Sequence, residues 1–342
     1  MANLTILVPE GTISWQLLRE NSTSTSSTAI AGKLSTFIKF WRIANVVLYV
    51  VIFVTSAVGN GLVCFIIIRR RRMKSVVNYL ILNLAIADLI FTCVCIPLDI
   101  PVQQMNYVWP YGGFMCKVIY PLQTQILFAS VYTLFALSLT RYRAVVHPLK
   151  QQLTTDKVKW VIMAIWVVSF LPVSPYMATL RFNSSTLTCE EYWKDVRSRR
   201  TYTICLFLFQ YVVPLTVISC AHLAIAQDLN RQKTREITII RRIRIQQGRR
   251  VSRMLIIVTL LFAVCVLPNN ILWLWLDFGE ADKRFAYFSE LLSFGNIVVF
   301  LNSALNPVCY TMMNDTYTKQ LRDIIHSCLK PTSQEEVEQS LD

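Results

Sequence analysis

Seven apolar stretches divide this 342-residue chain, over residues 44–68, 77–101, 113–140, 158–179, 202–227, 254–276 and 286–311. Each has about the 20 residues that a helix needs to cross a hydrocarbon core. In lipid every backbone donor and acceptor must find a partner within its own segment or its neighbours, so helices bundled together are the fold open to such a chain. At 54% hydrophobic and 16% charged residues, the chain also lacks the polar surface of a soluble domain this long. The expectation is an all-α membrane protein, a seven-transmembrane helix bundle. Prolines at 97, 172, 214, 268 and 307 are expected to bend spans two, four, five, six and seven.

Charge distribution sets the orientation. "RRRRMK" (residues 69–74) follows span one, and "NRQKTREITIIRRIRIQQGRRVSR" (residues 230–253) joins spans five and six. Lys and Arg at span ends stay cytoplasmic, whereas "NYVWPYGG" between spans two and three has neither. The N-terminus is thus expected outside, where "NLT" at Asn3 and "NST" at Asn21 are glycosylation triplets. The first 35 residues hold no apolar core of a cleaved signal, so span one is expected to direct insertion itself. "NSTSTSSTAIAG" reads as disordered, giving three regions: 1–43, extracellular, disordered and glycosylated; 44–311, the bundle; 312–342, a helix and cytoplasmic tail. The location is the plasma membrane, multi-pass. The net charge of +14 is accounted for by the positive-inside distribution, so nucleic acid is not an expected partner.

Seven of the ten cysteines lie inside spans and read as small apolar residues. Cys116, at the outer end of span three, and Cys189, between spans four and five, both face the oxidising side. A bridge between them is the reading; two separate thiols are the alternative.

Chemistry inside the bundle begins with span three. Cys116, Gln123, Ser130 and Arg141 follow one another by 7, 7 and 11 residues, steps that return to one helix face. Polar groups at membrane depth are costly unless they face the interior. Asp88 in "NLAIADL" is mid-membrane, where a charge costs about 2.5–3.5 kcal/mol. Asn302, Ser303 and Asn306 of span seven share a face. With Asp88 and Ser130 they make either an oxygen-rich pocket for a cation such as sodium or a hydrated polar network. No other cofactor is expected.

These residues in this order resemble the rhodopsin-like class of G-protein-coupled receptors. The likeness runs from Gly59 and Asn60 through "NLAIAD" (residues 83–88), Cys116 and Cys189, "TRY" (Thr140, Arg141, Tyr142), Trp166 and Pro214 to "NPVCY" (Asn306, Pro307, Tyr310). The resemblance implies that Arg141 reaches the α subunit of a G protein in the active state. It implies too that Asn306, Pro307 and Tyr310 form a switch, and that Asp88, Ser130, Asn302, Ser303 and Asn306 are a complete sodium site. Three departures stand out. Thr140 replaces the acid before the arginine, and the residue facing Arg141 from span six is Gly248, so neither acidic lock is present. Span six keeps Phe262, Cys265 and Pro268 but has Val266 where the class usually has tryptophan. His222 stands where a tyrosine usually supports the active state. Raised basal activity and restoration by other contacts both remain open.

Gln123 where an amine receptor needs Asp, and Phe300 where an opsin needs Lys, disfavour amines and retinal. Acids around the outer mouth (Asp99, Glu190, Glu191, Asp277, Glu280, Asp282, Glu290) suit a peptide with a basic or amidated end, unless they are only a solvated rim shared with Arg197, Arg199 and Arg200. The residues expected to meet ligand are Gln123, Asp99, Gln104, Glu190, Asn270 and Phe300. "WPYGGFMCK" and "SVYTLFALSLTRYRAVVHPL" resemble peptide receptors of the galanin and allatostatin-A type, then the neuropeptide Y type, which implies an inhibitory G protein, with arrestin as a further partner. After span seven, Tyr317, Leu321, Ile324, Ile325 and Leu329 line one side of a short amphipathic eighth helix lying on membrane lipid, with Cys328 a palmitoylation candidate. An enzyme, transporter or channel would need a catalytic set, matching halves or a filter, none of which is visible. The rival function is a peptide scavenger or scaffold of the same fold that signals weakly or not at all.

Overall fold

The structure is a computed structural model describing residues 24–70, 73–105, 107–233, 239–285, 287–313, 317–320 and 322–323. Seven helices in it are long and apolar enough to cross a membrane: Phe40–Arg69, Val76–Gln104, Gly112–Val146, Thr155–Thr179, Val196–Arg231, Gly248–Gly279 and Phe288–Met313, hereafter spans one to seven. Asn3, Asn21 and Cys328 lie outside the described residues. Helix begins at Ser24, about twenty residues ahead of the bundle boundary expected at 44, and so overlaps "NSTSTSSTAIAG". That stretch reads as disordered by its Ser and Thr content, but from Ser24 to Arg69 it holds no proline to stop a helix.

Apolar side chains point both ways, as lipid requires. Val51, Val58, Met163, Val167, Leu223 and Val264 are exposed on the outside, where acyl chains would cover them, while Asn60, Asp88, Asn302, Ser303 and Asn306 are buried inside. Span three runs through the middle and packs on spans two, four, five and six. One close approach is built on glycine: a Cβ on Gly59 would sit 2.6 Å from Cγ of Pro307, so spans one and seven meet only because Gly59 has none.

Two of the expected proline bends coincide with wider turns. Residues Phe91–Cys95 and Leu208–Val212 are π-helical, and Pro97 and Pro214 follow each by two residues. A proline supplies no N–H to the turn before it, and the extra residue of a π turn shifts the helix face at that point. The shift leaves Phe91 and Gln210 buried.

At one end of the bundle strands β1 (Leu180–Asn183) and β2 (Thr188–Glu191) form an antiparallel hairpin with Phe182 opposite Cys189. The Cys116–Cys189 disulfide ties β2 to the start of span three, Cα atoms 5.7 Å apart, as expected. At the opposite end residues 317–320 and 322–323 are helical. Tyr317 is buried there, its ring 6.3 Å from Tyr310 and its hydroxyl 3.4 Å from Asn78 Oδ1.

Candidate ligand cavity and transmission core

Beneath the hairpin lies a cavity of about 340 Å³ walled by spans two, three, five, six and seven. Its floor is apolar: Phe91 stacks on Phe300 with centroids 4.4 Å apart, beside Leu127 and Val266. Gln123, Gln210, Asn269, Asn270 and Asn296 supply neutral donors and acceptors. Five carboxylates line it (Asp99, Glu190, Glu191, Asp277, Asp282) against a single cation, Arg199.

The carboxylates differ in what holds them. Arg199 Nε lies 2.7 Å from Asp277 Oδ1, and Thr203 donates to Asp277 Oδ2. Arg200 donates to the Asp277 carbonyl at 2.9 Å and lies over Phe278. Asp99 has no cation among the described residues: Tyr49 and Gln103 donate to its Oδ2 at 2.8 and 2.6 Å, and Ser293 donates in turn to Gln103. Glu191 accepts from Trp193 Nε1 at 2.7 Å. Burial pushes the Glu191 carboxyl up from its ordinary range, with Trp193 and Arg199 opposing and Asp277 adding to it.

Of the six expected ligand residues, Gln123, Asp99, Glu190, Asn270 and Phe300 line this cavity. Gln104 does not, being half-buried one position past Gln103, which joins the Asp99 network instead. Adjacent helical residues point about 100° apart, so the single step decides it. Two rim acids also stay out: Glu280 pairs with exposed Lys283, and Glu290 accepts from Ser289. Sequence reading missed that Arg199 turns inward to Asp277 while Arg197 is exposed. It missed Gln210 too, because regular helical spacing carries no sign of a π turn.

Below the cavity the polar core is continuous. Asn306 Nδ2 donates to Asp88 Oδ2 at 2.8 Å. Thr92 donates to the Asp88 carbonyl at 2.8 Å and receives Ser56 at 3.2 Å. Asn60 donates to Ser56 and to the Ser303 carbonyl, both at 3.0 Å. On the far side of span two, Trp166 donates to Asn83, which donates to Thr133. All five residues expected at the sodium site are buried: Asp88, Ser130, Asn302, Ser303 and Asn306. Among the described residues the side-chain oxygens of Asn302 and Asn306 have no hydrogen-bond donor. In chemical type these residues offer a carboxylate, two hydroxyls and amide oxygens, the hard oxygen donors that sodium takes.

At the opposite end Arg141 closes span three beside a second cavity of about 340 Å³. Thr140 turns its hydroxyl back to the Ala136 carbonyl at 2.7 Å. Among the described residues Arg141 takes part in no ion pair, and its buried Nε has no acceptor. Span six contributes Val251 and Met254 to the lining of this cavity. Neither residue is acidic, in keeping with the missing lock expected from Gly248. Tyr142 stands edge-on to His147. His222 Nε2 lies 3.3 Å from Ser138 Oγ, linking spans five and three, while its Nδ1 is buried without partner among the described residues. Phe262, Val266 and Tyr310 are each 1% exposed. Asn270 donates to the Val266 carbonyl at 3.1 Å across Pro268.

Residues 59–310 match the 7 transmembrane receptor (rhodopsin family). The chain is 31% identical to human neuropeptide FF receptor 1 over 348 positions, covering 93% of this chain and 79% of that protein. Its identity to neuropeptide FF receptor 1 of Rattus norvegicus is 32% over 292 positions, 79% and 67% of the two. Galanin receptor 2a of Danio rerio is 29% identical over 303 positions, 85% and 81%.

Proposed function

We propose that this chain, which belongs to the rhodopsin family of seven transmembrane receptors, binds a neuropeptide carrying at least one positive charge. The chain is a multi-pass plasma membrane protein. The hairpin end and N-terminus face outside, and Arg141 faces the cytoplasm and a heterotrimeric G protein. The similarity to receptors named for neuropeptide FF and galanin supports the peptide class.

The observation that carries the charge of the ligand is the balance of the cavity wall, five carboxylates against Arg199. With Arg199 committed to Asp277 and shared by Glu191, Asp99, Glu190 and Asp282 have no cation of their own among the described residues, which favours a cationic guest. A peptide end reaching Gln123 would rest on Phe300, Phe91 and Val266. Val266 and Phe262 lie on the span that also lines the Arg141 cavity, so displacing them gives ligand a route to the other end. Opening the Arg141 cavity needs no acidic lock to be broken, and this supports signalling over scavenging. The sodium site at Asp88 would hold spans two, three and seven together at rest when loaded. The inhibitory class of G protein, and arrestin after it, complete the reading on the family likeness.

Nucleotide exchange on a panel of purified G proteins, by receptor in lipid discs, tests it. Amidated peptides with a C-terminal basic pair should raise exchange through the inhibitory class, and Arg141→Ala should abolish the rise. Peptide binding to the same discs without exchange on any G protein would reject the reading in favour of scavenging.

A further inference from the structure

We propose that Asn183 is a third N-glycosylation site, carrying an oligosaccharide on the turn of the hairpin that roofs the ligand cavity. Asn183-Ser184-Ser185 is an N-x-S triplet without proline at its middle position. Such triplets occur often by chance, and most inside a membrane protein are buried or face the wrong side. Position and local geometry separate this one from those.

Asn183 ends strand β1, paired with Thr188 in the last rung of the ladder. Ser184, Ser185 and Thr186 form the exposed turn beyond it. The Asn183 side-chain oxygen accepts the Ser185 backbone N–H at 3.0 Å, an Asx turn. That bond fixes the carboxamide with its oxygen engaged, while Nδ2, the atom to be modified, has no hydrogen-bond partner among the described residues. The turn itself is held in place. Cys189 is bridged to Cys116, and the Trp109 backbone N–H donates to the Leu187 carbonyl at 2.6 Å. A glycan here therefore has a defined position, beside the strand whose Thr188, Cys189, Glu190 and Glu191 line the cavity.

The transfer balances as an ordinary substitution. The donor is a lipid diphosphate-linked oligosaccharide on the luminal side. A bond forms between the anomeric carbon of the sugar and Nδ2, the bond from that carbon to diphosphate oxygen breaks, Nδ2 gives up one proton, and the lipid diphosphate leaves with the electron pair. The proposal rests on the orientation given above, because the donor meets only segments on the outer side.

The test uses full-length chain expressed in animal cells and digested with a peptide N-glycosidase in heavy-oxygen water, which turns each glycosylated Asn into labelled Asp for mass spectrometry. Label at position 183 is expected in the native chain and in an Asn3→Gln/Asn21→Gln variant. Asn183→Gln or Ser185→Ala in that background should remove the remaining sugar, while Ser184→Ala, which keeps the triplet, should not. Peptide binding by the same variants confirms that they are folded. Label at Asn3 and Asn21 without label at Asn183 overturns the proposal alone. Absence of label at all three positions overturns it together with the orientation.

Discussion

Asn306 donates its side-chain amide to Oδ2 of Asp88 at 2.8 Å, joining span seven to span two through two groups 218 residues apart in sequence. Both residues are 1% exposed, so no water stands ready to replace either partner. Asn306→Ala would leave a buried carboxylate oxygen unsatisfied, a loss of about 1–3 kcal/mol. The expected outcome is a lowered melting temperature in lipid discs. Sodium sensitivity separates the cation site from the plain network: native receptor should melt higher in sodium chloride than in choline chloride, and Asp88→Asn should remove that difference. Equal melting of native receptor in the two salts would leave the hydrated-network reading.

Gly59 and Gly61 make an internal control. A methyl at Gly59 would overlap the Pro307 ring, whereas nothing lies within 4 Å of one at Gly61. Overpacking costs about 1–3 kcal/mol, while relieving a helix of glycine gains up to about 1 kcal/mol. Gly59→Ala should therefore lower the melting temperature and Gly61→Ala leave it level or raise it. A neutral Gly59→Ala would mean that spans one and seven are not packed as described.

Among the described residues Arg141 has no carboxylate partner, and its neighbour Thr140 turns its hydroxyl to its own helix. Thr140→Glu would supply one. An added pair of about 1 kcal/mol favouring the resting arrangement should lower ligand-free nucleotide exchange about fivefold. Peptide affinity, set at the other end, should change little. Unchanged exchange would place the restraint on Arg141 elsewhere.

Acidification tests the cavity wall. Ionised Glu191 attracts a cation and protonated Glu191 does not. Burial raises its carboxyl, so the attraction starts to fade at a higher pH than for an ordinary glutamate, near 4.3. Affinity for a basic peptide, measured by binding to discs, should weaken as pH falls towards that range from above. Glu191→Gln should bind more weakly at neutral pH and follow a flatter curve. Parallel curves for both forms would remove Glu191 from ligand binding.

The Arg199–Asp277 pair, with Asp277 buried and Arg199 half-buried, stands between spans five and six. Removing one partner of such a pair costs about 3–5 kcal/mol through the charge left behind. Arg199→Ala should lower the melting temperature more than Arg197→Ala, whose parent side chain is exposed. Equal effects would show that the pair contributes nothing to holding the two spans.

The sequence by itself determined the seven spans, because the cost of an unpaired polar backbone in lipid leaves few other folds. It also determined which polar residues face inward: Asp88, Gln123, Ser130, Asn302 and Asn306 are all found there, since membrane depth penalises any other placement. The disulfide followed from the same topology, which puts the two cysteines at one end of the bundle. What the tertiary structure decided lies where regular helical spacing stops holding. The π turn at residues 208–212 turns Gln210 into the interior, and the one-residue difference between Gln103 and Gln104 is one of helix phase. That Val251 and Met254 share a cavity wall with Arg141 depends on how spans three and six cross, which their sequences do not encode. The commitment of Arg199 to Asp277 joins two spans through a contact 2.7 Å long, and a charge count along the chain sees only that acids and bases share one end. Burial in lipid acts on each residue separately and is legible one residue at a time. Pairing between helices depends on their relative rotation and height, which only the packed bundle fixes.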